Sequence, residues 1–145
     1  MAMKTITAAT ATVFLTVDGL FSSAQQIQGF GPDSMIEVDD VAPGVAEMGV
    51  DGSLSVGWVP TPKVVKLTLA ADSPSRDLIE DWIQAQDQQR EVMPGNLVVN
   101  MPAIGRTYSY TKGVITGGRT QPNAGKTLTA STTTITFESC VGAAL

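Results

Sequence analysis

The stretch that decides the fold is KLTLAADSPSRDLIEDWIQAQDQQREVMPGN, residues 66–96. It opens as a strand and turns into a helix. Ser73 suits an N-cap and Pro74 the first helical position, where no N–H is needed. Asp77, Glu80 and Asp81 come early, where the positive end of the dipole favours acids. At ~100° per residue, Leu78, Ile79, Trp82, Ile83 and Ala85 fall on one side, the candidate core face. Asp77, Glu80, Asp81, Gln84, Asp87 and Gln88 take the rest. Pro94 is read as the stop, because the residue before proline is pushed out of the α region. A helix with one apolar stripe must lie on another layer.

That layer is a sheet, because nearly everything else reads as strand and turn. Turn pairs punctuate the chain: Asp18-Gly19, Gly31-Pro32, Pro43-Gly44, Asp51-Gly52, Pro94-Gly95 and Gly117-Gly118. Between them, alternation marks strands at about 11–17, 24–30, 34–41, 53–59, 63–71, 106–116 and 127–138. Val13, Leu15 and Val17 share a face; so do Ile36 and Val38; so do Leu54, Val56 and Trp58; so do Thr133, Ile135 and Phe137. The expected fold is mainly β: an antiparallel sandwich or barrel with one amphipathic helix packed on the outside. Residues 1–145 form one domain, with a flexible lead over about 1–10. Lys4 and the following TITAATATVFLTV have a faint leader outline, but ATVFLTVDG reads better as a strand. No run reaches the ~18 apolar residues of a membrane span, so no membrane partner is expected.

Composition narrows the function. Charged residues make up only 16% of the chain, against about 25% for an average soluble protein. A surface poor in charge and rich in Thr, Ser, Gly and Gln belongs to something that assembles. The net charge of −5 argues against generic nucleic-acid affinity, which needs clustered bases. There is no His, which removes the commonest general base and the commonest zinc ligand. The single Cys140 has no intrachain partner and reads as a small apolar residue near the end of the last strand. No cofactor is called for, and the chain is not read as an enzyme.

Two motifs dissolve on inspection. AGKT at 124–127 lacks the spacing of a phosphate loop: position 120 is Thr, and a strand follows where a helix is required. Asp33, Glu37, Asp39, Asp40, Glu47 and Asp51 crowd one segment without matching any calcium loop. Their plain reading is a solvated acidic face. After residue 92 the balance reverses, with Arg106, Lys112, Arg119 and Lys126 against Glu138 alone. An acidic and a basic half can pair between copies, and such head-to-tail contacts build rings or filaments.

EMGVDGSLSVGW (47–58) followed by KVVKLTLAADSPSRDLIEDWI (63–83) resembles the contractile-tail bacteriophage tail tube proteins. GRTYSYTKGVITGG (105–118) and TLTASTTTITFES (127–139) match its two closing strands. The resemblance covers most of residues 11–139 and rests on turn and helix-cap patterns. It implies a structural subunit whose strands join an inner ring barrel, with six copies per ring and rings stacked into a channel for DNA ejection. It implies tail sheath and baseplate proteins as partners, a place in the virion tail and assembly in the host cytoplasm. DNA then passes through the lumen without specific binding. Glu37 and Asp39 become candidate lumen residues, repelling phosphate. Residues 42–52 become a loop reaching the next ring, with Val45, Met48, Val50 and Asp51 as candidate contacts. A ring that starts or ends the tube, or a type VI secretion tube protein, fits the same patterns. The alternative from another class is a monomeric β-sandwich binding sugar or calcium.

Overall fold

The computed structural model describes residues 11–30 and 35–145. The N-terminal lead, Asp33 and the Gly31-Pro32 turn lie outside the described residues. The elements are β1 (Thr12–Val17), β2 (Phe21–Ile27), β3 (Ile36–Val38), β4 (Gly44–Met48), β5 (Leu54–Trp58), β6 (Lys63–Leu69), α1 (Arg76–Gln89), β7 (Gly95–Met101), β8 (Arg106–Gly117) and β9 (Ser131–Ala144). Seven strands form one antiparallel sheet in the order β2-β1-β7-β8-β9-β6-β3. β4 and β5 form a separate hairpin.

The sheet rolls on itself. Phe30, just past β2, bridges Leu69 of β6, and the Ala70 N–H donates to the Gly29 carbonyl at 2.7 Å. The two flanks of the sheet therefore meet, and the alternating apolar residues point inward. Val13, Leu15, Val17, Val65, Leu67, Leu97, Val99, Ile135 and Phe137 make up most of this core. The faces assigned from alternation in β1 and β9 are the buried ones.

α1 closes one end of the roll. Ile79 and Trp82 are buried, while Leu78 and Ile83 are half-buried against the same core. The Trp82 indole N–H donates to the Met93 carbonyl at 2.9 Å, so burying this large ring leaves no orphan donor. Gly95 is required beneath it: a Cβ there would stand 2.9 Å from the indole.

Several boundaries differ from expectation, among them β2, which runs over Phe21–Ile27 and not 24–30. α1 begins at Arg76, and Ser75 occupies the cap position without a side-chain cap bond. The serines are used elsewhere. Ser75 Oγ accepts from the Gln28 N–H at 2.7 Å, and the Ser73 hydroxyl donates to the Gln28 carbonyl. They tie the helix start to the end of β2, and Gly29 passes so close to Ser73 that a Cβ would clash. At the other end, Arg90 in the left-handed region stops the helix, its N–H bonded to the Gln86 carbonyl, four residues before Pro94. β7 stands where the sequence pattern marks only the Pro94-Gly95 turn, although Leu97, Val99 and Met101 alternate. The expected strand at 34–41 is ordered as strand only over Ile36–Val38, and β9 starts at Ser131, not 127.

Candidate assembly surfaces

The segment expected to be a loop at 42–52 and a body strand at 53–59 is one hairpin arm. Gly44 pairs with Trp58, Ala46 with Val56 and Met48 with Leu54. Opposite residues in a ladder share a face, so Ala46, Met48, Leu54, Val56 and Trp58 form one apolar face. Val45, Glu47, Ser55 and Gly57 form the other. The apolar face is bare: Met48 is 66% exposed, Val56 74% and Trp58 76%. At the tip, Asp51 accepts from the Ser53 N–H at 3.0 Å and faces its hydroxyl at 3.3 Å. Those bonds, the backbone one foremost, hold the Asp51 carboxyl below its ordinary pKa. Pro43, Pro60 and Pro62 bracket the arm. Proline cannot donate to a ladder, which explains why the arm leaves the sheet at these points.

Of the predicted contact residues, Met48 lies on the apolar face, Val45 on the opposite face, and Val50 and Asp51 at the tip. Leu54, Val56 and Trp58 were not singled out for this role. Their alternation was legible; the flanking prolines were the signal that they leave the body.

The outward face of the rolled sheet is different in kind. Thr68 and Thr132 meet at 3.0 Å, Thr116 and Thr136 at 3.0 Å, and Thr111 bonds Ser139. Asn96 and Asn100 continue this hydroxyl and amide surface across β7. Its charges stand beside their opposites. Lys66 lies 3.5 Å from Asp39 and directly across the ladder from Glu37, and Lys112 lies 3.5 Å from Glu138. The two candidate lumen residues are thus on or just beyond the edge strand β3, next to a lysine.

A third surface is the end of the roll away from α1, where Ile36, Val38, Val99, Met101, Tyr108 and Tyr110 line an apolar groove of about 250 Å³. Burial, and next to it the bond with Cys140, pushes the Tyr110 phenol well above its ordinary pKa. Cys140 itself is half-buried beside the core. Among the described residues no group of carboxylates and thiols is arranged to hold a metal, and no helix is long and apolar enough to cross a membrane.

A rolled antiparallel sheet, one helix at its end and a protruding hairpin make up a fold of the contractile-tail tube type. The fold matches a chain of the sheath/tube terminator of an extracellular contractile injection system, PVC, in its extended state. That match has a TM-score of 0.67 and 12% identity, covering 99% of this chain and 100% of the other. It also matches the anti-feeding prophage tube terminating cap, with a TM-score of 0.62 and 10% identity over 100% and 95% of the two chains. A chain of the PVC sheath-tube complex aligns with a TM-score of 0.58 and 14% identity over 92% and 88%. A sequence family described as tail fiber protein gp32 matches residues 4–141, and this chain belongs to it. No curated protein matches by sequence.

Proposed function

We propose that this chain is a non-catalytic structural subunit of a phage tail tube, forming stacked hexameric rings that enclose the DNA-ejection channel. The observation that carries this reading is the arm. An isolated two-stranded hairpin is marginal in water, and one with a bare apolar face is built to be covered by another chain. Val45, Met48, Val50 and Asp51 lie on it or at its tip, suited to contacts between rings. The folds that resemble this one belong to tube, sheath, terminator and baseplate assemblies, which supports sheath and baseplate proteins as partners; in this reading the subunit sits in the virion tail and is assembled in the host cytoplasm.

The outward face of the sheet is our candidate channel wall. Its hydroxyls carry no charge, and Lys66 and Lys112 stand beside carboxylates, so phosphates meet no cluster of free bases. Changing Glu37 and Asp39 to Lys reverses one belt of that wall. Assembled tubes of this variant should retain DNA, and the retention should fall steeply as salt rises. Normal passage with no salt-sensitive retention would remove these residues from the lumen.

A second reading, a ring that terminates the tube, is favoured by the likeness to the terminator and the cap. Negative-stain images of purified protein separate the readings. Stacked hollow rods support the tube, and single rings the terminator. A featureless monomer that no tail template converts would return the chain to a ligand-binding β-sandwich.

A further inference from the structure

Among the described residues, the rolled sheet is stoppered at one end, by α1. Where β7 begins, Gly95 lies against Trp82, and near the end of β8, Gly118 lies against Ile83. Six residues along β7, roughly 20 Å at the rise of a strand, no described helix covers the core. The apolar groove opens there, between the end of β3 and the ladder of β7 and β8. The arm starts beside this groove, since Ile36 and Val38 of β3 line it and residues 39–62 join the end of β3 to the start of β6. It does not fold back over the groove, for its apolar face stays open to solvent.

We propose that the apolar face of the arm of one copy docks in the open groove of a second copy. The inference rests on the self-assembling reading above and supplies the acceptor site that reading lacks. Two features single out this occupant. First, the other broad surfaces are unsuited: the outward sheet face is a hydroxyl ladder, and the far side of α1 is polar. Second, the charges complement. Residues 39–62 carry Asp39, Asp40, Glu47 and Asp51 and no base, so two arms facing each other would bring like charges together. The groove rim instead carries Arg106, opposite Met101 in the ladder and 5.9 Å above the Tyr108 ring. Among the described residues Arg106 is in no ion pair. An acidic arm laid in this groove gives that cation a counter-charge.

The contact uses different patches on its two members, so every copy both donates an arm and accepts one. That is the heterologous arrangement that closes into rings or runs into filaments.

The test is complementation. Val56→Asp spoils the donor, and Val38→Asp, at a half-exposed position, spoils the acceptor. Each variant alone should sediment as a monomer where the parent chain associates, with the monomer's thermal transition retained. A one-to-one mixture should give a dimer, because each variant keeps the half that the other has lost. If Val38→Asp lowers the thermal transition, Met101→Asp replaces it. Undisturbed assembly of a folded acceptor variant overturns the groove and leaves the self-assembling reading standing. Failure of the mixture to dimerise overturns the donor–acceptor pairing. A parent chain that stays monomeric at every concentration overturns both.

Discussion

Two pieces of this chain carry the same local pattern and meet opposite fates. In β9, Thr133, Ile135 and Phe137 alternate with Thr132, Thr134 and Thr136, and Phe137 ends 1% exposed beneath the rolled sheet. In β5, Leu54, Val56 and Trp58 alternate with Ser55 and Gly57, and Trp58 ends 76% exposed. Both strands are antiparallel and both are amphipathic. The difference lies in the partners. β9 has β8 on one side and β6 on the other, and the sheet they form curls over its own apolar face. β5 has only β4, and a two-stranded ribbon has nothing to curl over. Alternation states that a face must be covered; it does not state whether the cover comes from the same chain.

The largest test of this contrast sets the two tryptophans against each other. Trp82→Ala should destabilise the subunit by about 3–5 kcal/mol in a denaturant titration, because it empties the end of the core. Trp58→Ala should leave that titration within about 0.5 kcal/mol, as exposed positions do, while weakening self-association measured by sedimentation. A comparable loss of monomer stability from both changes would mean that the arm packs on its own body.

An intermediate effect is expected at Glu80. The helix pattern places it among the polar residues away from the apolar side. The structure gives it a task, because Arg76 is buried at the start of α1, bonded to Ser131 and paired with Glu80 at 3.0 Å. Glu80→Ala should therefore cost about 1–2 kcal/mol, the loss of a hydrogen bond to a mostly buried charge. Asp81→Ala, one residue on and exposed, should cost within about 0.5 kcal/mol. Equal, negligible effects in thermal or chemical unfolding would mean that water replaces Glu80 without loss.

The smallest effect is at the tip of the arm. The Ser53 bonds favour ionised Asp51, so its folded pKa lies below the unfolded one. Their support is present above the ordinary carboxylate range and lost as pH falls through that lowered value. The Ser53 amide resonance should shift on acidification, with body amides such as that of Ile135 unmoved, and the shift should vanish in Asp51→Asn. A Ser53 amide indifferent to acid would sever the tip bond from the charge.

How much was legible follows from how far each signal reaches. The helix, its apolar side, the buried faces of β1 and β9 and the mainly β class are carried by neighbours a few residues apart, so periodicity and turn chemistry suffice. Helix boundaries were less legible, because Ser73 and Ser75 bond to Gln28 and not to the helix they precede. Strand β7 was obscured by the Pro94-Gly95 punctuation at its start, although its own alternation was plain. Arg76 gave no signal of burial, since a charged side chain goes inside only when Ser131, 55 residues away, is brought to it.

The sequence by itself determined that this is a one-helix antiparallel β protein, with an acidic segment, a basic C-terminal third and a Thr-rich sheet face. It also determined that Leu54, Val56 and Trp58 share a side. Only the tertiary structure decided that this side faces outward, that Lys66 sits beside Glu37 and Asp39, and that the described residues close the core with α1 at one end and leave an apolar groove at the other. The physical reason is one of range. Side-chain period and turn preference are properties of adjacent residues, whereas burial and charge pairing depend on which distant strands the register brings together.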